Sequence, residues 1–235
     1  MSVDLNNKKA IVLGGTSGIG LAVVEALAAA GTQVIAGSRR SMESASIPGV
    51  EFVEVDVLDR PALESLFEAH APFDILVNAA TGGERAVGPF LEMDLDGFQG
   101  SFAKLWGYTN SVRLGTEHMS ASGCIVLISG YPARKCGPGM AAISTVGNAV
   151  EGFVRAVAPE ITPRRINAVA PGIIDTPMFV QEGSERQALL DEMTAGHLIP
   201  RPGSAAEVAE GVMFLIGNEF VTGTVVDVDG GALLP

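Results

Sequence analysis

The chain has 235 residues, 47% hydrophobic and 18% charged, which excludes disorder by composition and fits one α/β domain whose core needs no disulfide or metal. Lys and Arg number 15 against 27 Asp and Glu, a formal charge of −12 that argues against a nucleic-acid partner or an anionic membrane surface. Two cysteines, Cys124 and Cys136, form no disulfide framework or ligand cluster, and 29 glycines without a collagen period mark tight turns and close backbone approaches.

The polar start carries no targeting signal, and no apolar run approaches the ~18 residues of a membrane span, so the expected location is the cytoplasm. Residues 9–13 read as a strand, ended by a glycine-rich turn; a helix pattern follows over 21–30 until Gly31 stops it. Further strands are expected at 32–37, 52–55 and 74–77, with a helix opened by Pro61 running to about His70. A long helix pattern covers 96–119, a fifth strand 124–128, a helix 140–160 and a sixth strand 165–169. A helix over 205–217 and a strand over 225–228 complete the chain. Several strands are continuous apolar runs, as when helices cover both sheet faces, and the strand–helix alternation predicts a doubly wound, seven-stranded parallel sheet. We read residues 1–235 as one Rossmann domain with a substrate flap around 177–202, beyond the carboxyl edge of the sheet where ligands bind.

The turn Gly14-Gly15-Thr16-Ser17-Gly18-Ile19-Gly20 stands between the first strand and the first helix. Glycines let backbone approach a phosphate, and the helix N-terminus supplies free N–H groups and the positive end of its dipole. An NAD site would carry an acidic residue at the end of the second strand; here that place holds Ser38-Arg39-Arg40. Arginine pairs bidentately with a 2′-phosphate, so NADP(H) is the expected cofactor.

At these residues the chain resembles the short-chain dehydrogenase/reductase family over nearly its full length. Leu13-Gly14 through Gly20 is similar to the family's T-G-x-x-x-G-I-G, with Leu13 in place of the threonine. Asp56-Val57 resembles the adenine-contacting pair, and Asn78-Ala79-Ala80-Thr81 the N-N-A-G segment. Pro171-Gly172-Ile173-Ile174-Asp175-Thr176-Pro177 resembles the stretch that holds the nicotinamide amide, through the Ile174 backbone and the Thr176 hydroxyl. Asp227-Val228-Asp229-Gly230-Gly231 looks like the closing strand.

The resemblance also implies a serine, a tyrosine thirteen residues later and a lysine four further on. The ungapped match puts Gly130, Ile143 and Gly147 at those positions, and Lys104 where the family has a helical asparagine. An atypical member without the Ser-Tyr-Lys set is therefore expected. The substitutes weighed are Lys104, either a desolvated acid or an ion-pair partner, together with Ser129 and Tyr131. Arg134 and Lys135 either orient an anionic substrate or solvate a turn, and His197 lies in the flap. The residues Phe98, Phe102, Leu105 and Tyr108, with Ala149, Phe153, Val154 and Val157, recur at helical spacing; the resemblance implies packing against further subunits in a homo-oligomer, a tetramer or dimer. The leading expectation is hydride transfer between NADP(H) and a small carbonyl or alcohol; the alternative is an inactive NADP(H)-binding sensor or regulatory subunit. No metal site is expected.

Overall fold

A run such as Lys9-Ala-Ile-Val-Leu13 is apolar on both faces of a strand, so it folds only where both faces are covered. In the computed structural model, which describes residues 4–40, 47–81, 83 and 85–235, this run is β1 (Lys9–Leu13), buried from Ala10 to Leu13. It is followed by α1 (Gly18–Ala29), β2 (Gln33–Ser38), β3 (Val50–Glu54), α2 (Arg60–His70), β4 (Phe73–Asn78), α3 (Leu95–Gly100) and α4 (Ala103–Gly115). The remainder is β5 (Met119–Ile128), α5 (Ala141–Val157), β6 (Arg165–Pro171), β7 (Ile174–Asp175), α6 (Gly183–Thr194), β8 (Gly203–Ser204), α7 (Ala205–Gly217) and β9 (Val225–Val228).

Seven strands form one parallel sheet in the order β3-β2-β1-β4-β5-β6-β9. The order reverses between β1 and β4, which opens a crevice at their carboxyl ends. On one face α1 and α7 pack Val23, Val24, Leu27, Val208, Val212 and Leu215 against the strands. On the other, α2, α4 and α5 contribute Leu63, Phe67, Tyr108, Val112, Val150 and Val154. Tyr108 and Val154 are fully buried within the chain, so part of the apolar stripe serves this core.

Two expectations about segments change. The single helix expected over 96–119 is broken at Ser101-Phe102, because the Ser101 hydroxyl donates to the Gly97 carbonyl and accepts from Ala86 N, competing with the helical pattern. The stretch 177–202 holds a helix, α6, that its weak amphipathicity concealed; only Leu190 and Thr194 are buried on it. Both ends of this stretch are fastened, since β7 pairs with β8 in a two-stranded sheet beside the main one.

Arg165, buried at the start of β6, ties the sheet to α7. Its guanidinium donates to the carbonyls of Leu215 and Ile216 at 2.8 Å and of Val221 at 2.9 Å. A cation at the C-terminus of a helix also complements the helix dipole. Arg165→Leu leaves the Ile216 carbonyl without its donor, while Val221 keeps Asn167 and Leu215 only the Cys124 thiol, and we expect a loss of about 3 kcal/mol in urea unfolding with the denaturant slope retained.

Candidate active site

The crevice is a cavity of about 1020 Å³ at the carboxyl edge of the sheet, lined by the turn after β1, the ends of β2, β4, β5 and β6, and by α4, α5 and the flap. Its floor is the glycine turn. Gly14 has φ +79°, and a Cβ there would lie 2.7 Å from Ala80 N. A Cβ on Gly20 would fall 2.0 Å from the Gly14 carbonyl, so only glycine permits the turn to close this tightly. The N-terminus of α1 has no acidic residue in its first turn, and its cap, Ser17, makes no side-chain capping bond. Its N–H groups are therefore available to an anion.

Thr16, Ser17, Gly18, Ile19 and Gly20 line the cavity, as do Ser38, Arg39, Arg40, Asp56, Val57, Ala79, Ala80, Pro171, Gly172, Ile174 and Thr176. The Ser38 hydroxyl donates to the Arg40 carbonyl at 2.6 Å, which folds the arginine pair into a tight turn with both side chains exposed. Asp56 accepts from Leu58 N at 2.9 Å and shapes its own turn. Asn78 is the exception. It is fully buried, donates to Ser111 Oγ at 2.8 Å and accepts from Ala80 N at 3.0 Å, bracing the Ala79-Ala80 turn from behind without lining the cavity.

Gly130, Ile143 and Gly147 all face this cavity, beside Lys104, Ser129 and Tyr131. Gly147 is held by packing: a Cβ there would lie 2.9 Å from the Cβ of Ala133, on the 3-10 turn Tyr131–Ala133 that follows β5. Asn148 donates to the Ala133 carbonyl and fastens that turn to α5. Arg134 fastens it further, pairing with Glu151 at 3.2 Å and with both oxygens of Asp227. Lys135 donates to the Ala232 carbonyl at 2.5 Å. Arg134 and Lys135, both exposed, stitch the loop to α5, β9 and the C-terminal segment.

The Ser129 hydroxyl lies 3.3 Å from Glu151 Oε1 and 3.4 Å from the Gly147 carbonyl, both on α5, so it is engaged there. Burial raises the Tyr131 hydroxyl above its ordinary titration range, and its ring meets His197 of the flap edge to face at 6.3 Å. Lys104 is different. Its amine donates to the Ser129 carbonyl at 3.2 Å and sits 5.6 Å from the centre of the Tyr108 ring. One turn on, the Tyr108 hydroxyl donates to the adjacent carbonyl, Ile128, at 3.0 Å. Among the described residues no carboxylate lies within ion-pair distance of Lys104. Burial, and then the nearby charge of Arg85, pull its ammonium down from the usual lysine range to about 8.

Two groups at the site escaped the sequence reading, one lining the cavity and one bracing its rim. Arg85 follows β4, and its place beyond a strand's carboxyl end was the available signal. Arg186, on α6, bonds Asp175 Oδ1 and the carbonyls of Thr176 and Phe179, holding the Thr176 segment over the glycine turn. No periodicity points to that contact.

A family model described as enoyl-(acyl carrier protein) reductase matches residues 14–232. L-xylulose reductase of Bos taurus is 32% identical, with 99% of this chain and 99% of the relative covered. A solved structure described as a short chain dehydrogenase/reductase family protein superposes with a TM-score of 0.87 at 31% identity, covering 99% of this chain and 100% of its own. A small-chain dehydrogenase in complex with NADPH gives a TM-score of 0.83 at 27% identity over 98% of this chain and 100% of its own.

The contact between Gly147 and Ala133 makes a direct test of the wall. Gly147→Ala should lower unfolding stability by about 1–3 kcal/mol through overpacking. Ala133→Gly in the same background should restore part of the loss; strictly additive losses in a double-mutant cycle would contradict the contact.

Proposed function

Because the chain belongs to the short-chain dehydrogenase/reductase family, we propose that it is an NADP(H)-dependent oxidoreductase acting on a small carbonyl or alcohol, with Lys104 in the proton-transfer role. The glycine cradle and the uncapped start of α1 fit a pyrophosphate, since a side chain at Gly14 or Gly20 would fill the space by clashing. Arg39 and Arg40 would hold a 2′-phosphate at the end of β2, and Ile174 and Thr176 the amide of the nicotinamide. When bound, NADP(H) supplies or accepts the hydride.

The observation that carries the proposal is the state of Lys104. Gly130, Ile143 and Gly147 have no proton to give, so the family's Ser-Tyr-Lys set is absent from this site on our reading. Of the neighbours, the Ser129 hydroxyl is taken by α5 and that of Tyr131 is a weaker acid than usual. The Lys104 ammonium, near 8, is mostly protonated at neutral pH and acidic enough to protonate an alkoxide as it forms. Its bond to the Ser129 carbonyl fixes where the proton is held. A second reading, nucleotide binding without turnover, draws on the seating of Ala133 against Gly147, which takes the space in which a lysine side chain would begin. The half-exposed Trp106 on α4 and partly buried Phe153 on α5 support a homo-oligomer joined through these helices.

Lys104→Met should abolish carbonyl reduction in a folded protein that still binds NADPH, because it removes an interaction made as the proton moves. A variant that keeps the parent rate overturns the role of Lys104, and a parent that binds NADPH and reduces no member of a carbonyl panel overturns the oxidoreductase reading in favour of the sensor. The ammonium is the donor, so reduction by the parent should be level below neutrality and fall about tenfold per pH unit above 8. NADPH should bind more tightly than NADH, and Arg39→Ala should remove most of a preference on the order of 1–3 kcal/mol, read by fluorescence titration.

A further inference from the structure

Arg85 and Lys104 share one stretch of the cavity wall, and among the described residues neither has a carboxylate within ion-pair distance. In a chain with 27 acidic residues against 15 basic ones, two neighbouring cations that meet no carboxylate among the described residues stand out. The groups around them bear this out. Tyr108, on α4 itself, is bonded to the Ile128 carbonyl, and Tyr131, after β5, is a neutral phenol. Glu151, on α5, stops at the Ser129 hydroxyl and is paired with Arg134. A partly buried ammonium and a neighbouring guanidinium repel each other, and an anion bound between them would relieve that repulsion.

The phosphates of the dinucleotide have their own partners, the start of α1 and the arginine pair after β2, so they do not meet this need. Much of the remaining wall is apolar, with Met140, Ile143, Met178, Phe179 and Met193 beside the polar Thr81 and Ser101. Gly130 leaves the space above the Ser129 carbonyl open, since a Cβ there would meet only Pro132 Cδ at 3.4 Å.

Resting on the oxidoreductase reading, we infer that the substrate is a keto acid with an apolar chain: Arg85 pairs with its carboxylate, and Lys104 faces the carbonyl that is reduced. Guanidinium suits a planar carboxylate through two parallel N–H···O bonds. The methionines, isoleucine and phenylalanine receive the chain, an arrangement in which few polar groups orient a ligand among apolar ones. The acid's charge also offsets that of Arg85, so its binding raises the proton affinity of Lys104 at the moment a proton is held there for transfer.

The test uses the whole protein with NADPH and two matched pairs, phenylpyruvate with its methyl ester and benzoylacetate with its ethyl ester. We expect kcat/KM for at least one acid to exceed that of its ester by about tenfold or more, the scale of one charge-assisted pair. Arg85→Gln should erase this discrimination through KM and move the alkaline limb of the rate profile above 8. Equal use of acid and ester by the parent, or a ratio unchanged by Arg85→Gln, overturns the inference and leaves the oxidoreductase reading standing. If neither acid nor ester is reduced, the anion site is judged by calorimetric titration of the same acids into the NADPH complex, and the oxidoreductase reading by the wider carbonyl panel. Binding lost in Arg85→Gln then supports the site, and binding absent or indifferent to Arg85 overturns it.

Discussion

All seven strands of the main sheet run parallel, so their carbonyl ends emerge along one edge where no further strand continues the pairing. Buried acceptors at such an edge need donors from elsewhere. At β5 they come from α4, with Tyr108 serving Ile128 and Lys104 serving Ser129. Using a lysine for this purpose brings an ammonium into a poorly solvated place that meets no carboxylate among the described residues, and its titration moves down accordingly. Arg165, at the start of β6, likewise spends its guanidinium on backbone carbonyls, those at the end of α7.

The sheet, its helices and the glycine turn were legible because their signals are local. Continuous apolar runs such as Lys9-Ala-Ile-Val-Leu13 have one structural solution, and Gly20 stands where no side chain fits. The segment over 177–202 was legible only as something beyond the sheet, since α6 buries too little of itself to leave a periodic trace. Contacts between distant segments left no such trace either. Nothing near Arg134 announces Asp227, and nothing in Asn78-Ala79-Ala80 tells that the asparagine points back to Ser111. Arg85 lay in view as a charged loop residue; its meaning depends on Lys104 lying close to it on the cavity wall.

The loop after β5 and the face of α5 are one packed unit. Ala133 sits where a Cβ on Gly147 would be, Asn148 holds its carbonyl, and Arg134 bridges Glu151 and Asp227. Residues at 130, 143 and 147 therefore cannot be exchanged as three independent choices of chemistry. A side chain at 147 must first displace a turn that is fixed at several points, so the composition of this wall is a property of its packing.

The pairing of Ile174 with Gly203 and of Asp175 with Ser204 closes the ends of the segment that carries α6. A chain whose ends are already joined responds weakly to changes in the length between them, with each doubling of the loop costing only about 0.6 kcal/mol. The Thr176 side of this closure is held by Arg186 and the Gly203 side leads directly into the capping box of α7. Insertions or deletions between Pro177 and Pro202 that keep Arg186 on Thr176 and Ile199 on Gly230 are thus insulated from the sheet. That makes this segment the part of the molecule in which a lineage can remodel its choice of substrate while leaving the fold's stability almost untouched.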